Sequence, residues 1–541
     1  MNRPELNRHF DVSTSQARLV QRRLVAAISV MAVAVLIAAC GQSPSISLSV
    51  DSPSVEVLRG SEALVVVTLT RNGGAAADVA LTVSGLPANV TASFAPATLS
   101  GSDLESVLTV TATGAAVEGS HELTVTGTGT GLTATTTMTL DVISLTVTGR
   151  VELAFGNPLA GASVASQGEA STTTTDGSFT LSGLSIPYDL SVWDQAETWV
   201  QIYEGLSTSS LLLTPTVGFG AAPTHRSTPV SGTLTGDSIP MGPNQSVLVC
   251  LEPMDTGGSD MMACGYANPA TSAYSFNAQW WGATSRAVRL HAIQVETDAN
   301  GFPVSYPGYA TANLTITNAS AVNLNLDLGE ALDTTTVAVT IDAESAIAGT
   351  FAAVQVGPRL AMLVMNAATP VTALSVVMPV IEDATYAFVS RGGTLLHYGW
   401  QAGVSGSTAT LHVPALPVHV GPDDSATGIT TGSSFSASAT GGGPVTFLWT
   451  PDNGDHPAVA VTSMSNAQTF PDLAPYGMSV PASAGYSWYV VTQAGNATEA
   501  GTAPLSDLVG TLYLQTIGGA PGPFGDGSLV QSTARSFTTA P

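Results

Sequence analysis

The chain of 541 residues contains no lysine, so all 14 of its basic residues are arginine, against 39 acidic residues. Without lysine the chain cannot form a phosphate-binding loop that ends in Gly-Lys, nor a lysine-derived isopeptide crosslink. Its net charge of −25 repels phosphate backbones, so nucleic acid is excluded as an expected partner. Charged residues make up only 10% of the sequence, which disfavours a charged, helical protein.

Residues that carry catalysis or bind metals are also scarce. Cysteine occurs three times, and neither a Gly-x-Ser-x-Gly elbow nor a His-Glu-x-x-His motif is present. The histidines are scattered, and the closest set is His412 and His419, with Pro414 and Pro417 between them. We interpret these two histidines as solvent-facing strand and linker residues rather than as a metal site. The sequence therefore predicts no enzyme activity and no cofactor.

No long hydrophobic run follows the first 40 residues. The most apolar stretch, 360–381, is interrupted by Asn366, Pro370 and Pro379 and is typical of buried strands rather than a membrane span. Thr, Ser, Ala, Gly and Val dominate the remaining sequence, and Gly and Pro mark frequent turns. An all-β fold of many short strands is predicted.

The N-terminal 40 residues have the layout of a secretory signal. Arg18, Arg22 and Arg23 precede an apolar run over 24–39, which is too short and wrongly flanked for a spanning helix. The run ends in Ile37-Ala38-Ala39-Cys40. These four residues resemble a bacterial lipobox. The other interpretation is an ordinary signal peptide in which Cys40 lies at the cleavage site by chance.

The lipobox resemblance implies a processed lipoprotein. In that class residues 1–39 are cleaved, and Cys40 carries a diacylglycerol thioether with fatty-acyl chains such as palmitate. Gly41 after Cys40 favours the outer membrane, by resemblance to the lipoprotein sorting rule. The chain after residue 39 keeps 9 arginines against 37 acidic residues, so a polybasic membrane contact is not expected and lipid is the predicted attachment.

The sequence after the signal predicts a tandem array of Ig-like and transthyretin-like β-sandwiches. Alternating apolar residues over 46–142, with GLPANVTASF at 85–94 and GTGTG at 127–131, resemble bacterial Ig-like modules. In the segment 147–215, Pro158 and Gly161 are expected to form a turn, Asp176-Gly177 a second turn, and Phe179 and Leu181 are expected to face the core. These features resemble the carboxypeptidase regulatory-like family, which implies a non-catalytic, transthyretin-like sandwich.

Three further segments complete the predicted array. The segment 228–330 begins with a phrase similar to 147–151 and is interpreted as a second, diverged transthyretin-like sandwich. The segment 334–417 is sandwich-like by alternation alone and resembles no family. The segment 418–541 resembles fibronectin type III-like modules, on the strand Tyr486-Ser487-Trp488 and the final Arg535–Thr539 strand. A Gly- and Pro-rich insert at 500–530 departs from that module and is expected to be a loop.

Cys250 and Cys264 flank a strong turn segment, Pro-Met-Asp-Thr-Gly-Gly-Ser-Asp. A hairpin places them opposite each other, and an exported domain can oxidise them. We predict a disulfide. The alternative, a metal-binding or redox pair, lacks a nearby histidine or third cysteine.

Two weaker sets of candidate ligand-binding residues remain. Asp452 and Asp455 lie in an oxygen-rich turn of the kind that can hold calcium, although Asp also favours turns for local reasons. Trp280, Trp281 and Trp400 are candidates for a carbohydrate platform. For the adjacent pair Trp280 and Trp281, packing against the sandwich and its loops is the favoured interpretation.

The combined prediction is an exported, lipid-anchored, non-catalytic surface or envelope protein. Its sandwiches would serve adhesion or the recognition of a glycan or a surface protein. One alternative is a structural subunit of an envelope assembly. Another is a hydrolase with an unrecognised active site in 334–541, for which a Ser-His pair or converging carboxylates would be the signature.

Overall fold

The computed structural model describes residues 43–75, 77–153, 157–216, 226–254, 263–280, 283–356, 360–368, 370–393, 397–439, 442–454, 456–495, 519–520 and 527–541. These residues form β-strands joined by turns, with a 3-10 helix at Ala474–Tyr476. The predicted all-β architecture of sandwich domains is confirmed. In the described part of the chain, no helix is both long and apolar enough to cross a membrane. The predicted signal peptide and Cys40 lie outside the described residues.

The chain divides into two compact units, of which unit 1 ends at Ser144 and unit 2 begins at Leu145. Unit 1 is a sandwich of two sheets, with strand orders β1-β3-β7-β5 and β2-β9-β8-β4-β6. Its strands are β1 (Ser45–Val50), β2 (Ser54–Leu58), β3 (Glu62–Asn72), β4 (Val79–Ser84), β5 (Val90–Ala95), β6 (Thr98–Leu99), β7 (Glu105–Ala112), β8 (Gly119–Gly129) and β9 (Leu132–Ile143).

Period-2 alternation builds the core of unit 1. In β9 the side chains of Met138, Leu140 and Val142 are buried, while the residues between them face outward. They meet Leu108 and Val110 of the other sheet in one hydrophobic cluster. Each fully buried aliphatic side chain of this kind contributes about 1.5–3 kcal/mol through removal of apolar surface from water.

Unit 2 opens with the 147–215 segment. Its strands are β10 (Leu145–Leu153), β11 (Asn157–Pro158), β12 (Ser163–Ser166), β13 (Glu169–Thr172), β14 (Ser178–Leu184), β15 (Tyr188–Asp194), β16 (Trp199–Leu206) and β17 (Ser210–Leu213). Phe179 and Leu181 are buried as expected. Gly177 has a φ of +79°, and an added Cβ would lie 2.4 Å from the Val151 carbonyl oxygen, so the turn requires glycine. Hydrogen bonds from the side chains of Thr174 and Ser178 lower the pKa of Asp176 in this turn to about 2.

The 228–330 segment forms two sheets, β21-β18-β24 with β25 beside β18, and β20-β19-β22-β23. Its strands are β18 (Arg226–Thr235), β19 (Gln245–Pro253), β20 (Cys264–Tyr266), β21 (Ala273–Trp280), β22 (Ser285–Thr297), β23 (Pro303–Thr317), β24 (Val322–Asn323) and β25 (Leu326–Asp327). One face of the second sheet packs on the first sheet through Val249, Leu251, Leu290 and Ala292. The opposite face carries Leu248, Cys250 and Ile293 into another core.

That other core belongs to the 334–417 segment. Its strands are β26 (Thr334–Ala343), β27 (Ile347–Val356), β28 (Leu360–Ala367), β29 (Ala373–Pro379), β30 (Thr385–Gly392), β31 (His397–Val404) and β32 (Thr408–Val413). The apolar stretch 360–381 therefore consists of strands, as its composition predicts. Tyr306 of β23 is buried in the shared core and donates a hydrogen bond to the Val377 carbonyl oxygen of β29 at 2.9 Å.

The 418–541 segment completes unit 2. Its strands are β33 (Val418–Gly421), β34 (Ala426–Ile429), β35 (Ser434–Ser438), β36 (Val445–Pro451), β37 (Ala458–Ser463), β38 (Ala467–Thr469), β39 (Gly485–Gly495), β40 (Gly519–Ala520), β41 (Gly527–Gln531) and β42 (Arg535–Thr539). The predicted loop at 500–530 is wrong in its described part, because β40 pairs with β28 and β41 inserts between β31 and β39. An edge strand leaves backbone N–H and C=O groups without partners, and β40 and β41 pair with those groups on β28 and β31 of the 334–417 segment.

A single sheet of 15 strands joins three segments of unit 2. In it β16 of the 147–215 segment pairs in parallel with β37 of the 418–541 segment. Gln201 is fully buried at this junction, donates to the Thr462 hydroxyl at 2.9 Å and accepts from the Thr216 hydroxyl at 2.8 Å. Both the nitrogen and the oxygen of the buried Gln201 amide are hydrogen-bonded, as polar groups in protein interiors are.

Candidate functional site

The predicted disulfide between Cys250 and Cys264 is present, with a sulfur–sulfur distance of 2.09 Å. Cys250 and Cys264 stand opposite each other in the pairing of β19 with β20. The Cys250 side chain is fully buried and Cys264 is half-buried. The bond therefore ties the edge strand β20 to a sheet whose face is covered by the 334–417 segment.

A buried polar network adjoins this disulfide, and sequence reasoning missed it. In the pairing of β19 with β22, His291 stands opposite Cys250, and Arg289 stands opposite Glu252. His291 Nε2 lies 3.0 Å from a carboxylate oxygen of Glu252, and Nδ1 lies 2.8 Å from the Tyr309 hydroxyl. His291 is 1% exposed. The available signal was a histidine at an inward position of a strand that otherwise alternates apolar residues.

The chemistry of this network follows from its acceptors. The carboxylate of Glu252 only accepts, so His291 carries its proton on Nε2 and donates it there. Burial, with the negative charge of Glu252, raises the pKa of Tyr309 to about 12, so the phenol keeps its proton and donates to Nδ1. The order acid, imidazole, hydroxyl is that of a catalytic relay, but a phenol with a raised pKa is a poor nucleophile at neutral pH.

Two Ser-His pairs also occur, which the sequence did not reveal. Ser345 Oγ lies 2.9 Å from His397 Nε2, and the same nitrogen lies 2.8 Å from the Pro414 carbonyl oxygen. Since a carbonyl oxygen only accepts, Nε2 holds the imidazole proton and cannot take one from Ser345. The distance between Ser345 and His397 is that of a catalytic nucleophile and its general base. The tautomer with the proton on Nε2 cannot act as that base.

The second pair is Ser532 and His419, with 3.2 Å between Oγ and Nε2. Ser532 donates its one proton to the Thr533 carbonyl oxygen at 2.9 Å, so His419 is the donor in this contact. His419 is 7% exposed and lies edge-on to Trp488, with ring centroids 4.0 Å apart. The interpretation of His419 as solvent-facing is therefore wrong, because its strand alternates and Val418 and Val420 take the outward positions.

Burial, aided by the positive charge of Arg535, lowers the pKa of His419 to about 4. Between pH 6.5 and 4 the unfolded chain binds a proton that the folded chain does not, so stability falls as the pH falls through this window. We expect His419 to cost about 3 kcal/mol of unfolding free energy between pH 7 and pH 4.

This cost is measured as the pH dependence of urea unfolding in the wild type and in His419→Gln, which keeps a donor near Ser532. The variant is expected to lose less stability than the wild type between pH 7 and pH 4. Val418→Gln places the same side chain at an exposed position of the same strand and serves as the control. Equal slopes in all three proteins would contradict the assignment.

The remaining candidates from the sequence are not brought together. Trp280 is fully buried and donates from its indole to the Ala283 carbonyl oxygen at 2.9 Å, so the packing interpretation is confirmed for Trp280 and a sugar platform there is wrong. Trp281 lies outside the described residues. Trp400 is half-buried against a cluster that includes Phe351 and Tyr398.

Of the two acidic candidates, Asp452 belongs to the described structure. Asp452 is exposed and accepts a hydrogen bond from the Ser487 hydroxyl at 3.1 Å, and Asp455 lies outside the described residues. His412 is half-exposed on β32 and contacts Asp342 and Glu344, whereas His419, seven residues later, is buried beside Trp488. Within the described ranges, no group of three His, Cys, Asp or Glu residues is arranged to hold a metal ion.

The outward face of the sheet that contains β4, β8 and β9 is rich in hydroxyl groups. Thr82 pairs with Thr126, and Thr126 pairs with Thr135. Eight neighbouring outward residues of these strands are exposed or half-buried, and we call them the threonine face. They are Thr82, Ser84, Thr124, Thr126, Thr128, Thr133, Thr135 and Thr137. Its members present methyl and hydroxyl groups at the spacing of a β-sheet, and Glu122 and Asp141 follow them on the same outward face.

Comparison with known proteins gives similarities at the level of solved structures. No known protein-family profile matches the chain, and no curated protein matches it. The Bacillus anthracis TIE protein is similar at 10% identity, with 69% of this chain and 75% of that chain covered and a TM-score of 0.21. Domains 5–6 of the S-layer protein SbsC are similar at 14% identity, covering 52% of this chain and 99% of that chain, with a TM-score of 0.15. The I-band fragment I67–I69 of titin is similar at 11% identity, covering 52% and 100%, with a TM-score of 0.15.

Proposed function

We propose that this protein is a lipid-anchored, non-catalytic surface or envelope protein whose sandwiches recognise a glycan or a protein. The observation that carries the proposal is the threonine face, an outward sheet face of unit 1 that is rich in hydroxyl groups. Exposed sheet faces and loops are where recognition takes place in sandwich folds.

The anchor in this proposal is Cys40, at the end of the lipobox-like Ile37–Cys40. Replacing Cys40 with serine removes the thiol that lipid attachment needs. We expect Cys40→Ser to leave the membrane fraction, or to remain unprocessed, whereas Cys250→Ser together with Cys264→Ser should stay in that fraction. Fractionation of cells with mass analysis of the N-terminal peptide measures this. A fully processed Cys40→Ser protein in the membrane fraction would contradict the anchor.

The recognition surface in this proposal is the threonine face. Its hydroxyls can donate and accept hydrogen bonds, which suits the hydroxyl groups of an uncharged glycan. Thr135→Glu is expected to reduce retention of the chain on polysaccharide columns, because it places a charge at an exposed position of the face. Thr70→Glu, exposed on the other sheet of unit 1, is the control. Equal retention of both variants would remove the threonine face from the proposal.

For the hydrolase alternative, two Ser-His pairs lie in 334–541. In both pairs the histidine Nε2 is the donor and cannot take a proton from the serine, which disfavours a hydrolase.

The structural-subunit alternative is tested by crosslinking in intact envelopes. Because lysine is absent, amine-reactive reagents have no side-chain target, and the crosslinker has to react with carboxylates. Exclusively monomeric products would count against an assembly subunit.

A further inference from the structure

One end of unit 1 lies close to the predicted lipid attachment along the chain. Strand β1 begins at Ser45, five residues after Cys40. Ser45 pairs with Asn72 at the C-terminal end of β3. The turns that share this end of the sandwich are 72–75 with 77–78, 99–104 and 129–132, which we call the tether end.

Strand β1 is fixed firmly at the tether end. It pairs with β3 over six consecutive residues. Ile46 and Leu48 pack on a small core of Leu69, Val79, Leu81 and Leu99, which closes this end of the sandwich. Since β1 cannot swing away from the sheet without exposing these side chains, the start of β1 is a fixed point on unit 1.

The turns of the tether end are held together and carry little side-chain bulk. The Arg71 guanidinium donates to the carbonyl oxygens of Ala77 and Leu99 and so bridges two of the turns. Gly74, Gly101 and Gly131 have open space where a Cβ would stand. Because these glycines carry no side chain, the turns that contain them can approach a flat surface closely.

The apolar and charged groups of the tether end limit what that surface can be. Leu104 is 48% exposed at the start of β7, so an apolar side chain is available to an interface. Asp78 and Asp103 are also exposed there. An anionic surface would repel these carboxylates, whereas zwitterionic headgroups would not.

The length of the connection determines the distance to a membrane. Five residues span at most about 17 Å when fully extended. The opposite end of the sandwich lies further away by the length of an 11-residue strand such as β3, about 36 Å. If Cys40 is acylated, the tether end is therefore the part of unit 1 that can reach the headgroups.

We propose that the tether end of unit 1 docks on the lipid surface that holds Cys40, with Leu104 at the contact. This inference rests on the lipid anchor of the proposed function. It assigns unit 1 an orientation in which its strands run away from the bilayer. The partner is a zwitterionic lipid surface and not a second protein.

The experiment uses the full lipidated chain in phosphatidylcholine vesicles that contain a nitroxide-headgroup lipid. Leu104→Cys and, as the matched control at the opposite end, Val117→Cys are each labelled with a fluorophore. Val117 is 50% exposed, close to the exposure of Leu104. The other cysteines do not react, because Cys250 and Cys264 form a disulfide and Cys40 carries lipid.

The label at position 104 is expected to lose most of its fluorescence, and the label at position 117 to keep it. Similar quenching at both positions in vesicle-bound protein would overturn the docked orientation while leaving the anchor intact. Failure of the chain to float with the vesicles would instead overturn the anchor. Circular dichroism of both variants, matched to the wild type, ensures that neither outcome reflects misfolding.

Discussion

Replacing Glu252 with leucine is expected to lower the unfolding free energy of unit 2 by about 3 kcal/mol. The substitution leaves the Nε2–H of His291 buried without its acceptor, which lies 3.0 Å away in the native structure. It also removes the carboxylate that lies 3.9 Å from the Arg289 guanidinium. An unpaired buried donor costs its full desolvation energy, whereas the loss of a surface carboxylate costs little.

This expectation is tested by urea unfolding followed through tryptophan fluorescence. All seven tryptophans lie after Leu145, so the signal reports on unit 2. Glu330→Leu removes an exposed carboxylate from the same unit and is expected to change stability by less than about 0.5 kcal/mol.

A double-mutant cycle tests the network itself. Glu252→Leu combined with His291→Leu is expected to be less damaging than Glu252→Leu alone, because the fully buried Nε2–H is removed together with its acceptor, and the Tyr309 hydroxyl, which loses Nδ1, is only half-buried. Equal losses in Glu252→Leu and Glu330→Leu, or a double variant as unstable as the two single losses added, would show that the network does not stabilise unit 2.

The sequence predicts the sandwiches because alternation records which face of a strand is buried. Leu140 and Val142 of β9 alternate with outward residues, and the structure buries both. Turn residues give equally local information, as Gly177 shows, since its left-handed conformation and close backbone contact admit only glycine. The disulfide was predictable for the same reason, because its two cysteines flank one short turn.

Contacts between distant segments leave no such record in the sequence. Gln201 and Thr462 are 261 residues apart, and each lies in a strand whose apolar neighbours would suit several partners. Only the complete fold shows that β16 and β37 pair in parallel and that the amide of Gln201 is buried. The alternation of β22 places His291 inward, but the partner of His291 was not predictable, because polar residues in strands such as Glu252 usually face solvent.

Replacing Trp488 with alanine is expected to be the most damaging single change in the 418–541 segment, at about 3–5 kcal/mol. Trp488 is fully buried at the centre of an aromatic cluster. Its ring centroid lies 5.0 Å from that of Phe435 and 6.2 Å from that of Phe447. Truncation leaves a cavity that neighbours in paired strands cannot close, because their backbones are held by the sheet.

Trp488→Phe is the matched control. The indole Nε1 of Trp488 has no hydrogen-bond partner among the described residues, so phenylalanine removes volume without breaking a hydrogen bond. We expect this variant to lose about 1 kcal/mol, and the contrast with alanine to appear in urea unfolding followed through the other tryptophans. An alanine variant as stable as the phenylalanine variant would contradict the packing argument.

The damage from Trp488→Ala should extend beyond its own segment. Trp488 lies in β39, which pairs with β36 and β41, and these strands pair in turn with β37 and β31. Loosening β39 therefore removes support from the edges of β16 and β31 in the two neighbouring segments. Amide hydrogen exchange should rise in β16 and β31 as well as in β39, because one continuous sheet transmits the loss. If β16 and β31 keep their wild-type protection, the three segments are stable independently, and the 15-stranded sheet joins them without stabilising them.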